Sequence, residues 1–170
     1  MILEEKLKND KKDIIFYLMN KYRNGYNLES EKSCGAVIYN QNLEKYLIVK
    51  MYNGNWGFPK GHVEKNETEI ETAIREVKEE TNIDIEIKEI FRETIKYVTN
   101  EKTIKEVVFF LGIVNNEQIK IDANEIEDFE WCTYEEALKL ITYKVQRDVL
   151  EKVKKYIKER EDKENIILYI

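Results

Sequence analysis

The sequence predicts one domain of the α/β or α+β class, and three observations support this fold class. A chain of 170 residues is long enough for one hydrophobic core and too short to expect two. Its hydrophobic content is 42%, with 11 Tyr and 6 Phe, whereas disordered chains contain few aromatic residues. Segments with strand-like and helix-like periodicity are mixed along the sequence, so strands and helices should surround a common core.

The first predicted elements are a helix and two strands. Apolar residues at helical spacing across residues 4–24 predict an amphipathic helix. The segments SCGAVIY (33–39) and KYLIVKMY (45–52) predict two strands, separated by turn-forming residues at 40–42. A loop over residues 53–62 follows, and it holds three of the six glycines and the only proline. Such a concentration of residues with special backbone preferences is typical of a shaped, functional loop.

A second helix is predicted over residues 68–81. Asn66 is a suitable N-cap for this helix, with Glu69 three residues later in the position of a capping box. Apolar residues recur three and four positions apart, and they should form a stripe that faces the core: Ile70, Ala73, Ile74 and Val77.

The rest of the chain predicts further strands and two more helices. In chain order the predicted elements are alternating segments at 83–91 and 93–98, a turn at 100–102, the apolar strand VVFFLGIV at 107–114, a short strand near 129–131, a helix over 134–141 and a last helix over about 144–160. Their mixed order is the reason for assigning the chain to the α/β or α+β class.

Charge and cysteine content narrow the classes of function. A net charge of −6 disfavours general nucleic-acid binding, so no stable nucleic-acid partner is expected. The longest apolar segment, residues 107–114, is too short to span a bilayer, and the first residues are charged, unlike a signal peptide. Cys34 and Cys132 have neither metal-ligand spacing nor a disulfide pattern, so both are expected to be buried thiols. We therefore expect a cytoplasmic protein without a membrane partner.

The segment REVKEE, residues 75–80, creates an electrostatic problem in the second helix. Like charges three or four positions apart on a helix repel each other, and Glu76, Glu79 and Glu80 lie within five positions. At about 100° per residue, Glu76 and Glu80 lie side by side while Lys78 lies on the opposite side. One interpretation is a solvated acidic face. The other is a site for a hard divalent cation, which is favoured because Glu76 and Glu80 border the apolar stripe.

A longer pattern surrounds this segment. Gly61 is followed after five residues by Glu67, and after seven more by the segment 75–80, with Asn82 and Ile83 beyond it. This pattern resembles the signature of the Nudix hydrolases, with one departure, because the family has glycine where this chain has Asn82. Asparagine is the next most tolerant residue for a left-handed helix C-cap, so the departure bears on stability more than on chemistry.

Features outside the signature resemble one branch of that family, the asymmetric diadenosine tetraphosphate hydrolases. In WGFPKGHVE (56–64), Lys60 would reach a phosphate as a point charge. Tyr97 falls where that branch stacks an adenine ring, and Lys102 lies in the turn that follows. Tyr156 falls near the second aromatic residue of the same adenine site. The resemblance therefore implies that these residues bind substrate.

The resemblance also implies a metal site and its support. Arg75 is expected to pair with Glu67 and so to brace the loop against the helix. Glu125 matches an additional acidic residue that binds metal or acts as base, so the catalytic base would be Glu79, Glu80 or Glu125. The implied ion is Mg²⁺, with Mn²⁺ as a substitute. Its implied ligands are the Gly61 carbonyl and the carboxylates of Glu76, Glu79, Glu80 and Glu125.

Together these resemblances imply hydrolysis of a nucleotide substrate, a dinucleoside tetraphosphate cleaved to ATP and AMP, by a monomer or homodimer. Two alternatives stay open: a pyrophosphohydrolase acting on damaged (d)NTPs or RNA 5′ ends, and a catalytically silent Nudix module that senses nucleotides. The implied fold is a mixed β-sheet sandwiched between helices. We assign residues 1–30 to an N-terminal helical extension, 31–163 to the Nudix hydrolase domain and 164–170 to a C-terminal tail.

Overall fold

The structure, a computed structural model, describes residues 29–98, 103–115 and 118–167. The helix predicted over residues 4–24 and the predicted substrate-binding residue Lys102 lie outside those ranges. None of the helices within the described ranges combines the length and the apolar character that crossing a membrane requires.

Seven strands and three helices make up the described part of the chain. The strands are β1 (Glu29–Asn40), β2 (Lys45–Met51), β3 (Trp56–Gly57), β4 (Lys60–His62), β5 (Glu86–Val98), β6 (Thr103–Val114) and β7 (Ile126–Cys132). The helices are α1 (Glu69–Thr81), α2 (Tyr134–Leu140) and α3 (Lys144–Ile167).

The strands form one mixed sheet with the central order β3-β2-β1-β6-β5. β1 and β6 are parallel, and their pairing runs from Glu29 with Thr103 to Asn40 with Val114. The other pairs are antiparallel: β1 with β2 and with β4, β2 with β3 and with β7, and β5 with β6. Because β4 pairs with the central strand β1, the glycine-rich loop is fixed to the middle of the sheet.

Alternation along β1 distributes its side chains between two apolar layers. Ala36 packs in the layer that contains Val77 of α1. Its neighbour Val37 packs in the layer that contains Ala137 of α2 and Leu150 of α3. The sheet therefore lies between α1 on one face and α2 with α3 on the other, which confirms the predicted fold class.

An ion-pair cluster fixes the start of α1 to the sheet. The carboxylate of Glu69 accepts two hydrogen bonds of 2.7 Å from the guanidinium of Arg92 in β5. Lys32 of β1 lies 2.5 Å from the same carboxylate. The pKa of Glu69 is lowered to about 2, chiefly by the hydrogen bonds from Arg92. The hydrogen bond from Lys32 acts in the same direction. These contacts orient the helix that carries the acidic segment.

The N-terminus of α1 differs from the prediction. Thr68, not Asn66, is the N-cap, and its capping-box partner is Glu71 instead of Glu69. Asn66 has a φ of 70°, in the left-handed region, whereas an N-cap residue adopts an extended conformation. At the other end Asn82 has a φ of 60°, which confirms the predicted left-handed C-cap.

Three further predictions, one on burial and two on the bounds of secondary structure, differ from the structure. Ile74 is 38% exposed, because the buried face of α1 includes Glu76 and Glu80 on the side away from it. The alternating segments at 83–91 and 93–98 are not separate elements: from Glu86 onward they form the single strand β5, whose pairing with β6 shifts between Lys88 and Arg92. The last helix continues to Ile167, beyond the predicted end near residue 160.

Candidate active site

Three carboxylates converge at the C-terminal half of α1. Glu76 and Glu80 lie one turn apart, and the two residues are only 7% and 6% exposed. Glu125, from the loop before β7, is exposed. One carboxylate oxygen from each of the three lies within 4.8 Å of the others. Hard divalent cations prefer ligands of this kind.

Backbone hydrogen bonds to the end of α1 position the loop that carries Glu125. The last carbonyl groups of a helix have no partner within the helix. Here the N–H groups of Lys120 and Asp122 donate to the carbonyls of Thr81 (3.0 Å) and Glu80 (3.1 Å). The N–H of Glu125 donates to the carbonyl of Asp122 at 3.1 Å, which closes a tight turn. The same helix therefore supplies two carboxylates and holds the third in place.

Gly61 in β4 lies directly against this cluster. A Cβ atom at position 61 would come within 2.0 Å of the carboxylate carbon of Glu76. Only glycine therefore allows the backbone of β4 to approach the carboxylate so closely. This approach places the Gly61 backbone beside the cluster, as the resemblance to the Nudix signature implies.

Arg75 joins the glycine-rich loop to the acidic helix. Its Nε and Nη2 donate to the two carboxylate oxygens of Glu67 at 2.6 and 2.9 Å, in a bidentate pair. Its Nη2 also donates to the carbonyl of His62 at 2.9 Å. Its Nη1 donates to Glu76 (2.8 Å) and Glu79 (3.0 Å). The structure thus brings Arg75 and Glu67 together as predicted, with one guanidinium serving three carboxylates.

The electrostatics of the cluster favour a bound cation. Burial raises the pKa of Glu80 to about 8, and the charges of Glu76 and Glu125 act in the same direction, while Lys60 opposes them. Burial also raises the pKa of Glu76, although Arg75 opposes this shift. Two buried carboxylates with incomplete neutralisation are unfavourable unless a further positive charge is supplied. The donor set therefore fits a divalent metal ion.

A cavity of about 240 Å³ lies next to the cluster. The two are joined by Lys60, which lines the cavity and whose backbone N–H donates to Glu80 Oε2 at 3.2 Å. The remaining walls come from β5, β6, the start of α3 and the loop after β2. The residues that line the cavity include Lys60, Tyr97, Lys105, Tyr143, Val145 and Gln146.

Tyr97 and Lys105 face each other across the β5–β6 pair and both line the cavity. Burial raises the pKa of Tyr97 to about 12, so its phenol stays neutral. Lys105 Nζ lies 3.5 Å from His62 Nε2 and 3.9 Å from the carboxylate of Glu31. The pKa of Lys60 is lowered by burial and then by Lys105. Two amines and a neutral aromatic ring are therefore available to a ligand that carries phosphate and base.

Two predicted site residues lie apart from these groups. Glu79 is not one of the three converging carboxylates; its side chain is 54% exposed and is bound to Arg75. Tyr156 packs its ring against Phe91, with 5.6 Å between ring centroids, and lines a second, smaller cavity. The structure therefore does not bring Tyr156 into the cavity that Tyr97 lines.

The two cysteines are buried, which confirms the expectation from the sequence. Cys34 and Cys132 are 0% and 1% exposed, and neither forms a disulfide. Burial raises the pKa of both thiols to about 11. A thiol in that state is a poor nucleophile, so neither cysteine is suited to covalent catalysis.

Three polar residues that line the cavity from outside the predicted loop were missed in the sequence: Lys105, Tyr143 and Gln146. A hairpin folded around the predicted turn at 100–102 would have placed Lys105 opposite Tyr97. Gln146 shares a helical stripe with Val149 and Leu150, and a single polar residue on such a stripe indicates a special role for its side chain. No comparable signal marks Tyr143.

Comparisons with known proteins agree with the geometry. The model of the NUDIX domain family matches residues 30–153. The asymmetrical bis(5′-nucleosyl)-tetraphosphatase of Caenorhabditis elegans is 35% identical over 133 residues, which cover 74% of this chain and 96% of that protein. The m7GpppN-mRNA hydrolase of Saccharomyces cerevisiae is 31% identical over 107 residues, which cover 62% of this chain but only 11% of the yeast protein.

A solved structure shares both the fold and part of the sequence. The crystal structure of a C. elegans Ap4A hydrolase in a binary complex has a TM-score of 0.71 and 31% identity to this chain. The similarity covers 76% of this chain and 98% of that one. Sequence signature, sheet topology and family model all lead to the same conclusion: the chain belongs to the Nudix hydrolase family.

Proposed function

We propose that this protein hydrolyses dinucleoside tetraphosphates asymmetrically, to ATP and AMP, with Mg²⁺ as its ion. One observation carries the proposal: a cavity lined by Tyr97 and Lys105 adjoins three converging carboxylates. Lys60 links the two, because it lines the cavity and its backbone N–H donates to Glu80. The 35% identity to a protein named asymmetrical bis(5′-nucleosyl)-tetraphosphatase supports the choice of substrate class.

The carboxylate cluster would hold the metal. Glu76, Glu80 and Glu125 supply converging oxygens, and the Gly61 backbone lies against Glu76. Bound Mg²⁺ neutralises charge on phosphate oxygens and lowers the pKa of the attacking water. Arg75 keeps the helix and the loop in register through its bonds to Glu67 and to the His62 carbonyl.

The cavity would hold one nucleoside of the substrate. Its volume of about 240 Å³ is below the range of about 300–1,000 Å³ typical of sites for drug-sized ligands, so a whole dinucleotide does not fit. The ring of Tyr97 offers a stacking surface for a base, which is worth about 1–3 kcal/mol in comparable sites. The ammonium groups of Lys60 and Lys105 attract the phosphates. This arrangement directs the rest of the polyphosphate towards the cluster.

Hydrolysis requires a proton acceptor. A water oxygen bonds to phosphorus, an anhydride P–O bond breaks, and a proton leaves the water. Of the three candidates, Glu80 and Glu125 belong to the converging set. Glu79 lies outside it and is held by Arg75, so we assign the acceptor role to a member of the converging set, Glu80 or Glu125.

A substrate panel tests the function. The purified protein would be incubated with diadenosine tetraphosphate, 8-oxo-dGTP, ADP-ribose, triphosphorylated RNA and an inositol pyrophosphate, in Mg²⁺ and in Mn²⁺. We expect diadenosine tetraphosphate to give the highest kcat/KM and to yield equal amounts of ATP and AMP. Two molecules of ADP as product, or a higher kcat/KM on another compound, would refute the proposal.

Capped RNA is the second candidate substrate. It is favoured by the 31% identity to the yeast m7GpppN-mRNA hydrolase over 107 residues. A capped oligonucleotide added to the panel distinguishes the two, because release of a methylated guanosine nucleotide at a higher kcat/KM would select this candidate. Absence of turnover on every compound, together with nucleotide binding, would instead indicate a silent sensing module.

A further inference from the structure

Gln146 lies in the first turn of α3 and lines the cavity of about 240 Å³ next to the carboxylate cluster. The residue is only 3% exposed, on the same stripe as Val149 and Leu150 of the core. A glutamine is seldom buried to this extent, and its amide group must then find hydrogen-bond partners. The surroundings of this amide therefore bear on what the cavity binds.

Two contacts fix the orientation of the Gln146 amide. Its Oε1 accepts a hydrogen bond from the backbone N–H of Phe58 at 3.2 Å. Because a backbone N–H can only donate, the atom at this position must be the oxygen. The amide also fills the place of a side chain at Gly57, where an added Cβ would lie 2.4 Å from Oε1 and 3.2 Å from Nε2. The amide therefore cannot rotate freely to exchange its two ends.

The amino end of Gln146 has no hydrogen-bond partner among residues 29–98, 103–115 and 118–167. Its Nε2 carries two donors, and because this nitrogen is unpaired but not fully buried, both donors are accessible from the cavity that Gln146 lines. Since the oxygen is engaged by Phe58, the residue offers only donors to the cavity. A ligand with an acceptor atom at this point would satisfy it.

We propose that Gln146 selects the base of the substrate, an inference that rests on the proposed function. Its Nε2 donates a hydrogen bond to an acceptor atom on the edge of the nucleobase in the cavity. Lys60 and Lys105 are the cationic residues of the lining and would hold phosphate oxygens, whereas Val145, next to Gln146, and Tyr97 offer apolar surface against which a planar base would pack. Because the amide end is fixed, a base that presents an amino group at this point is rejected.

Atom-replacement analogues test this proposal. Wild type and Gln146→Met would be assayed on diadenosine tetraphosphate and on analogues in which both bases are 1-deaza-, 3-deaza- or 7-deazaadenine. Each analogue replaces one acceptor nitrogen by C–H. We expect one of them to lower the wild-type kcat/KM about tenfold, mainly through KM, the effect of one lost hydrogen bond. Gln146→Met should show the same loss on the parent compound and no further loss on that analogue.

Three further variants make the result decisive. Gln41→Met applies the same change to an exposed glutamine outside the cavity and should behave as wild type. Gly57→Ala displaces the amide from the opposite side and should reproduce the loss of discrimination. Gln146→Glu keeps an acceptor for the Phe58 N–H but removes the amino group. It serves in place of Gln146→Met if that variant does not fold.

Three outcomes would overturn the proposal. Equal wild-type kcat/KM on the parent compound and all three analogues would show that no acceptor nitrogen is recognised. An equal loss in Gln146→Met on every compound, including a base-free bis(ribosyl) tetraphosphate, would show that the residue only supports the loop through Phe58. If wild type does not cleave diadenosine tetraphosphate at all, the proposed function fails first and this proposal fails with it.

Discussion

At the scale of single residues, Ser33 stands out. It lies in β1 between His62 of β4 and Val107 of β6, and it is fully buried. Its Oγ is the one fully buried side-chain oxygen or nitrogen without a hydrogen-bond partner in the described part of the chain. A buried hydroxyl without a partner costs about 1–3 kcal/mol relative to water. The native state therefore carries an unfavourable contribution at this position.

Removing this hydroxyl should not weaken the protein. We expect Ser33→Ala to leave the free energy of unfolding unchanged or to raise it by ~1 kcal/mol, measured by urea denaturation. Thr81→Val is the matched control, because the Thr81 hydroxyl donates to the Val77 carbonyl at 2.6 Å and accepts from the Ile83 N–H at 3.3 Å. In this control the free energy of unfolding should fall by roughly 1–2 kcal/mol. Equal destabilisation by the two substitutions would contradict our account of Ser33.

The residue scale also shows what a sequence can reveal about a site. Glu76, Glu80 and Gly61 could be identified because they lie in the short pattern that resembles the Nudix signature. Lys105 and Gln146 lie outside any such signature, and their roles depend on strand pairing and on a buried face of α3. Contacts between distant segments determine these roles, and a short pattern carries no information about them.

At the scale of elements, α1 is a core-forming helix that also carries two carboxylates of the proposed metal site. Val77 and Ala73 pack on the sheet, while Glu76 and Glu80 occupy the same buried face. Helical periodicity predicted the extent of α1 and the burial of Ala73 and Val77, but it placed Glu76 and Glu80 only at the border of the apolar stripe, because burial of polar side chains leaves no trace in an apolar pattern. The same limit explains the exposure of Ile74.

Neutralising the buried carboxylates of α1 should separate activity from stability. Glu76→Gln and Glu80→Gln should each lower Mg²⁺-dependent hydrolysis at least ~100-fold, because a ligand to the ion is lost. Neither should lower the melting temperature, since an amide relieves repulsion between buried carboxylates. Glu71→Gln on the same helix is the control, and it keeps a residue compatible with the capping box. Unchanged turnover in both test variants would refute the metal site.

At the scale of the whole molecule, metal binding should stabilise the fold. The proposed ligands lie in α1 and in the loop before β7, so an ion bound between them would oppose unfolding. At Mg²⁺ concentrations of about 100 times Kd, the expected gain is ~2.7 kcal/mol. For a chain of this size that corresponds to a melting temperature about 5–10 °C higher, measurable by differential scanning fluorimetry.

The stabilisation should depend on the carboxylate cluster alone. The double variant Glu76→Gln/Glu80→Gln should show no more response to Mg²⁺ than wild type shows to NaCl at equal ionic strength. A shift of equal size in wild type and in the double variant would mean that the ion acts elsewhere. This measurement needs no substrate, so it tests the metal site independently of the reaction.

The parallel pairing of β1 with β6 has a consequence for the kinetics of folding. Every residue from β2 to β5, including Gly61 and the whole of α1, lies within the long loop that this pairing closes. Closing such a loop costs entropy before its contacts form, which makes non-local pairings slow, typically milliseconds to seconds. During that interval the apolar strand Thr103–Val114 is exposed and prone to aggregate. Metal affinity should therefore appear late in refolding, after β1 and β6 have paired.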